Sequence, residues 1–356
     1  MLKNFLTPAI VSAILMSGSL IGFAPAFADE GGDAALIVTA TNASAGNALL
    51  VFDKNLHTQA TVSTGGKGTG SGLGNQGGIA TLGDTLLVVN AGDNTISSFR
   101  VENGDLQLAS VVSSHGIKPV SVTIHKNTVY VVNAGDKTIA GFTLDDESNL
   151  SFLAGSVRNL TGTGPAQIGF GLGGHELIVT EKGTNTIEVF PLGVDNLAMA
   201  SVVTPSNGKT PFGFEVKGRN LIVSEAFGGT ASALSTYRLN ADGTLTLISP
   251  SVDATGQKAA CWVATSKDGR FAFTSNTASN SVSSFRLRGN GGLTLSQATA
   301  ATTSAGPIDI AVSDKTLFVL TSLGLTPFTI GHDGRLGTVS ASVSAPGANG
   351  LVVIND

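Results

Sequence analysis

Two apolar runs of this chain end in a carboxylate, Leu177-Ile178-Val179-Thr180-Glu181 and Leu221-Ile222-Val223-Ser224-Glu225. Comparable runs end in an amide at Asn90, Asn133 and Asn276, and others begin beside Lys118, Gln167, Lys258 and Asp309. Two carboxylates brought close without a fixed cation repel. Either one of them keeps a proton at a raised pKa, or a cation such as calcium sits between them. On this reading Glu225 is the general base of a hydrolase or a metal ligand, and Glu181 is the second ligand. Asn90, Lys118, Asn133, Gln167, Glu181 and Asn276 are then the groups that hold a small molecule. The competing reading is that Asn and Glu at strand ends cap turns by bonding neighbouring backbone.

Other chemistries find little support. No G-x-S-x-G elbow joins a strand to a helix, which removes the usual serine nucleophile. His57, His115, His125, His175 and His332 are scattered, with no two at metal-ligand spacing. Cys261, the single cysteine, lies in the apolar run Ala259-Ala260-Cys261-Trp262-Val263 and reads as a small buried residue. A formal net charge of −5 offers no basic stripe, so nucleic acid is not an expected partner. No motif implies a cofactor, and calcium is the one ion the glutamate pair suggests.

The elements that position these residues follow from a repeat. Phe52, Phe99, Phe142, Phe190, Tyr237, Phe285 and Phe328 each close a short strand, at successive separations of 47, 43, 48, 47, 48 and 43 residues. Each interval is long enough for one four-stranded blade of a β-propeller. Ahead of each anchor lies a nearly continuous apolar strand, such as Val129-Tyr130-Val131-Val132-Asn133, of the kind buried on both faces. Between the two come turns such as Ala91-Gly92-Asp93-Asn94, rich in residues that tolerate positive φ. Innermost strands are expected over Pro119–Ile124, Pro165–Phe170, Pro211–Val216, Ala260–Thr265 and Pro307–Val312, and more polar outermost strands over stretches such as Leu106–Val112.

The two ends complete each other. Gly347–Ile354 reads as an innermost strand with nothing after it, and Ala34–Ala40 as a second strand with nothing before it. Joining them closes a seventh blade and removes exposed sheet edges. The fold class is therefore all-β, a single seven-bladed β-propeller over residues 29–356. In such a ring the loops before the innermost strands and those after the second strands meet at one mouth of a central channel, a concave place that ligands favour. The Gly-rich stretch from Thr64 to Gly78 contains a formal G-x-G-x-x-G at Gly72 to Gly77 but lacks the preceding strand and following helix of a dinucleotide site. It reads instead as a flexible loop over that mouth.

Lys3, an apolar stretch from about Pro8 to Ala24, and Ala26-Phe27-Ala28 read as a signal peptide over residues 1–28. The protein is therefore expected to be secreted or periplasmic, with no membrane insertion after cleavage.

Asn90-Ala91-Gly92-Asp93-Asn94-Thr95-Ile96 and Lys267-Asp268-Gly269-Arg270-Phe271-Ala272-Phe273-Thr274-Ser275-Asn276 resemble segments of the lactonase-type seven-bladed propellers. That family includes propeller 6-phosphogluconolactonases and carboxymuconate-lactonising enzymes, and the resemblance extends over the mature chain. It implies lactone chemistry served by a histidine, an arginine and a strand-end carboxylate. Here the first two positions are Ala166 and Phe212, and only the carboxylate persists, in Ser224-Glu225. Two functions stay open: hydrolysis of a lactone or small ester, and non-catalytic binding of a small-molecule ligand or protein at the channel mouth.

Overall fold

The computed structural model describes residues 35–355, and the expected signal peptide at residues 1–28 lies outside them. Seven antiparallel blades form the ring. Blade 2 shows the plan, with strands Ile79–Leu82, Thr85–Asn90, Thr95–Glu102 and Asp105–Ser113 running from the axis outward. Blades 3 to 7 begin at the inner strands Pro119–His125, Pro165–Gly171, Pro211–Lys217, Ala260–Thr265 and Pro307–Ser313. These match the expected innermost strands to within a residue. The outer edges of blades 3 and 7 are each broken into two short strands on the same partner, Leu150–Phe152 with Arg158–Asn159 and Leu336–Thr338 with Val343–Ser344. Among the described residues only two single turns of 3-10 helix, at Phe227–Gly229 and Thr277–Ser279, interrupt the β-structure.

Blade 1 is shared by the two ends of the chain. Leu36–Ala40, Ala48–Phe52 and Thr58–Ser63 are joined on the inside by Asn349–Ile354, with Val38 opposite Val352 and Ile37 opposite Val353. Thr39 adds a hydroxyl bond to the carbonyl of Gly350 at 2.6 Å.

Apolar area lost to water is the main stabilising term. The second strands are the most completely buried: Thr128–Asn133 and Phe271–Asn276 are buried at every position. All seven aromatic anchors are buried as well. The turns behave as their residues require, with positive φ at Asn94, Lys137, Asn185 and Asn280, equivalent places in four blades. A second set of left-handed residues, Lys118, Gly164, Thr210 and Ala259, stands directly before an inner strand and turns the chain down into the channel. The rim where inner strands begin is the upper mouth of the channel.

Candidate functional site

The structure moves the strand-end residues away from the channel. Asn90, Asn133, Glu181, Glu225 and Asn276 are all fully buried, and none contributes to the channel wall. Most of their polar atoms are engaged by nearby groups of the ring, while the Oδ1 atoms of Asn133 and Asn276 are buried without a hydrogen-bond partner. Asn90 donates to Thr95 and Ser97 and accepts from Thr64 and Asn47. Asn133 donates to Thr138 and to the carbonyl of Ser114, and Asn276 donates to Ser281 and Ser283. Glu225 accepts from the backbone N–H of Gly208 at 2.7 Å and from the hydroxyls of Ser235 and Ser251, both at 2.6 Å. Glu181 accepts from the N–H of Gly162 at 2.9 Å and from Thr186 at 2.8 Å. These glycines are required, because a Cβ on Gly162 or Gly208 would run into the carboxyl below it.

Glu181 and Glu225, expected as a pair, are held by separate sets of donors. The acidic neighbour of Glu181 is Glu188, on the next strand of the same blade, and not Glu225. Burial first, then the neighbouring Glu188, push the Glu181 carboxyl up to about 7. Glu188 is itself held by the N–H of Thr161 and the hydroxyl of Ser201. Burial also raises Glu225, against the pull of Ser235. No group of three or more His, Cys, Asp or Glu able to hold a metal occurs among the described residues. Both glutamates thus occupy the place of inward-turned caps, and neither faces a space that a substrate could enter.

The Gly-rich loop does lie over the upper mouth, but it is tied down across it. Gln76 uses its carboxamide as a two-point clamp on Val263, accepting from its N–H at 3.0 Å and donating to its carbonyl at 2.8 Å. Its own N–H donates to the carbonyl of Ala166 at 3.0 Å, and Gly213 leaves room for its side chain. Asn75 donates to the carbonyl of Val120 and accepts from the indole N–H of Trp262. Lys182 donates to the carbonyl of Gly74. Residues 74–77 are therefore a strap that ties the inner strands of blades 3, 4 and 6 together by hydrogen bonds and packs on that of blade 5 at Gly213.

Beneath the strap lie the two positions at which the family pattern carries its histidine and arginine. Ala166 is buried, and Phe212 packs against Trp262 with ring centres 5.2 Å apart and under the Lys182 ammonium at 4.9 Å. Burial lowers Lys182 to about 8, and burial raises the Cys261 thiol to about 11, leaving it an inert core group. Replacing Gln76 by Ala should cost about 2–4 kcal/mol, since Val263 would keep a buried N–H and C=O without partners. Denaturant melts of the two proteins measure this, and an unchanged midpoint would show that the clamp carries no stability.

Below the strap the channel is a space of about 530 Å³ walled by all seven inner strands. Gln167 and Asp309, two of the residues expected there, do line it. Gln167 is spent on structure, clamping Phe214 through its N–H at 2.7 Å and its carbonyl at 3.1 Å. Lys118 does not line the channel: its side chain is exposed on the upper rim, where its N–H bonds Asn94.

Sequence reasoning passed over Glu215 and Lys217. They stand two apart on the inner strand of blade 5, so the strand pleat turns both to the same side, and both line the channel. Glu215 is half-buried and crowded by wall atoms, which push its carboxyl up to about 7 against the attraction of Lys217. Asp309 is 3% exposed and raised well above the ordinary carboxylate range by burial, with its oxygen on the N–H of Ile310 at 2.8 Å. Gln76, Thr81, Thr123 and Thr265 add further polar groups to the wall. The channel wall thus holds one carboxyl with a pKa of about 7, a second that burial raises well above the ordinary range, and the side chain of Lys217.

Residues 230–353 match the family model described as Lactonase, 7-bladed beta-propeller. Among curated proteins none matches the chain. A periplasmic gluconolactonase from Pseudomonas aeruginosa has a similar structure, with a TM-score of 0.73 at 17% identity over 90% of this chain and 99% of that one. So has a putative 6-phosphogluconolactonase from Bacteroides uniformis, with a TM-score of 0.72 at 17% identity over 91% of this chain and all of that one. A hypothetical selenium-binding protein from Sulfolobus tokodaii shares the shape at a TM-score of 0.64 and 12% identity, over 92% and 94% of the two chains. At such identities these are likenesses of fold. The family match and the closed ring of seven blades together bear out the resemblance of this chain to the lactonase-type seven-bladed β-propellers.

Proposed function

We propose that the chain is an exported hydrolase of a small, uncharged lactone, and that its site is the central channel below the strap. The observation that carries the reading is Glu215 beside Lys217 in the channel wall, with a carboxyl near 7. A base with a pKa close to the working pH transfers protons most effectively. Asp309, whose carboxyl burial raises well above the ordinary range, supplies the complementary acid: two carboxyls in different surroundings divide the roles of base and donor.

In the reaction, Glu215 takes a proton from a water molecule as the water oxygen attacks the lactone carbonyl carbon. The oxyanion that forms is stabilised by the Lys217 ammonium and by a hydrogen bond from the Asp309 carboxyl. Collapse breaks the bond between the acyl carbon and the ring oxygen, and Glu215 returns its proton to that oxygen. One water is consumed and a hydroxy acid leaves. Substrate reaches the channel from the lower mouth, because the strap occupies the upper one. The strand-end Glu225 is not the base in this scheme, since three donors hold its carboxyl away from any cavity.

A second reading is favoured by Ala166 and Phe212 under the strap, where the family pattern has its histidine and arginine: a propeller that binds a small ligand without turning it over. Proton release from D-glucono-δ-lactone and from γ-butyrolactone above the spontaneous rate separates the two. Turnover supports the hydrolase; binding of the lactones without turnover supports the second reading and overturns the first.

A further inference from the structure

A second cavity, of about 410 Å³, opens between the lower turns of blades 4 and 5 and shares no residue with the channel. Its volume falls in the range of small-molecule sites, about 300–1,000 Å³. Glu176, the first residue of the second strand of blade 4, stands in its wall and is 2% exposed. The Oε1 atom of Glu176 is buried with no hydrogen-bond partner. The chain makes room for it: a Cβ on Gly171, across the hairpin, would come within 2.8 Å of that oxygen. An acceptor buried in this way costs about 1–3 kcal/mol unless a donor reaches it.

Arg219, an exposed residue, also lines this cavity. One of its N–H groups goes to the carbonyl of Leu239 at 3.0 Å, and no carboxylate forms an ion pair with it among the described residues. Its charge is nevertheless felt at Glu176, whose carboxyl burial raises and Arg219 draws back. The cavity therefore presents a buried acceptor without a donor and an exposed guanidinium that forms no ion pair with a carboxylate among the described residues. A carboxylate is the anion that a planar guanidinium holds best, through paired hydrogen bonds. With Arg219 already near, a neutral hydroxyl suits Glu176 better than a second cation.

We infer that this cavity binds a small hydroxycarboxylic acid, its carboxylate against Arg219 and a hydroxyl donating to Glu176. The site stands apart from any reaction in the channel. Calorimetric titration with sodium D-gluconate, sodium acetate and glucitol tests it, since acetate lacks the hydroxyls and glucitol the carboxylate. Gluconate should bind at least about tenfold more tightly than either comparator, because only it satisfies both groups. Arg219→Gln and Glu176→Gln should each weaken gluconate at least about tenfold with melting curves that show a folded protein, while Glu215→Gln in the channel leaves its affinity unchanged. Absence of gluconate binding overturns the inference. So does binding that survives both cavity substitutions, or that Glu215→Gln removes, because the acid then sits elsewhere.

Discussion

Glu215→Gln should lower kcat/KM for lactone hydrolysis by about 10²–10⁴-fold, the usual contribution of a positioned general base. Glutamine keeps the shape of the wall and removes only the proton acceptor, so the melting temperature should not fall. The pH profile carries a second signature. A base works when it has lost its proton, and burial holds Glu215 at about 7. The rate should therefore rise with pH, about tenfold per unit well below 7, and level off above it. In Glu215→Gln that limb should vanish, leaving a residual rate without the inflection. A variant that hydrolyses lactone as fast as the parent, with the same inflection, would mean that another group is the base.

Removing residues 347–356 should lower the melting temperature by roughly 10–20 °C and make the protein prone to aggregate. The reason is the place of Asn349–Ile354 in the ring. Leu351 packs with Phe318, Leu320 and Leu325 of blade 7, whereas Ile354 packs with Ile79, Leu86 and Val88 of blade 2. One strand thus joins the first blade to both neighbours. Burying Leu351 and Ile354 is worth about 1.5–3 kcal/mol each, before the ladder to Leu36–Ala40 is counted, so a loss of order 5 kcal/mol is expected. The unpaired edge left on Leu36–Ala40 is long and apolar, a template for pairing with another chain. Calorimetry and light scattering on the shortened protein measure both effects, and a melting curve like that of the full chain would count against closure by this strand.

The fold was legible because its determinants are periodic. Seven aromatic anchors, the apolar runs before them and the unpaired strands at the two ends each point to one ring, and the pairing of Val38 with Val352 is the closure they require. The strand-end residues were harder to place. Glu181 and Glu225 follow apolar runs at positions where a turn begins, which in the sequence looks like exposure at the channel mouth. What the sequence states only faintly is that Gly162 and Gly208, 19 and 17 residues upstream, let loop N–H groups descend onto those carboxyls and bury them.

Glu188 was overlooked for a similar reason. It interrupts the anchor strand Ile187-Glu188-Val189-Phe190, and only the three-dimensional ring shows that Thr161 and Ser201 supply its donors. The signal for the channel pair was present. Phe214-Glu215-Val216-Lys217 alternates apolar and polar with the period of a strand, which turns Glu215 and Lys217 to one side, and the inner strand has the channel on that side. The Gly-rich loop was located correctly over the mouth, but the clamp of Gln76 on Val263 joins residues 187 apart and leaves no local trace.

The proposed reaction requires the substrate to bind inside the channel. The most direct measurement is a crystal structure of Glu215→Gln soaked in D-glucono-δ-lactone. The lactone should lie inside the channel below Gln76, its carbonyl oxygen toward Lys217 and Asp309, with the strap unmoved. Lactone bound at the upper mouth over Phe212 and Trp262, with residues 74–77 displaced, would contradict the assignment of the channel as the site.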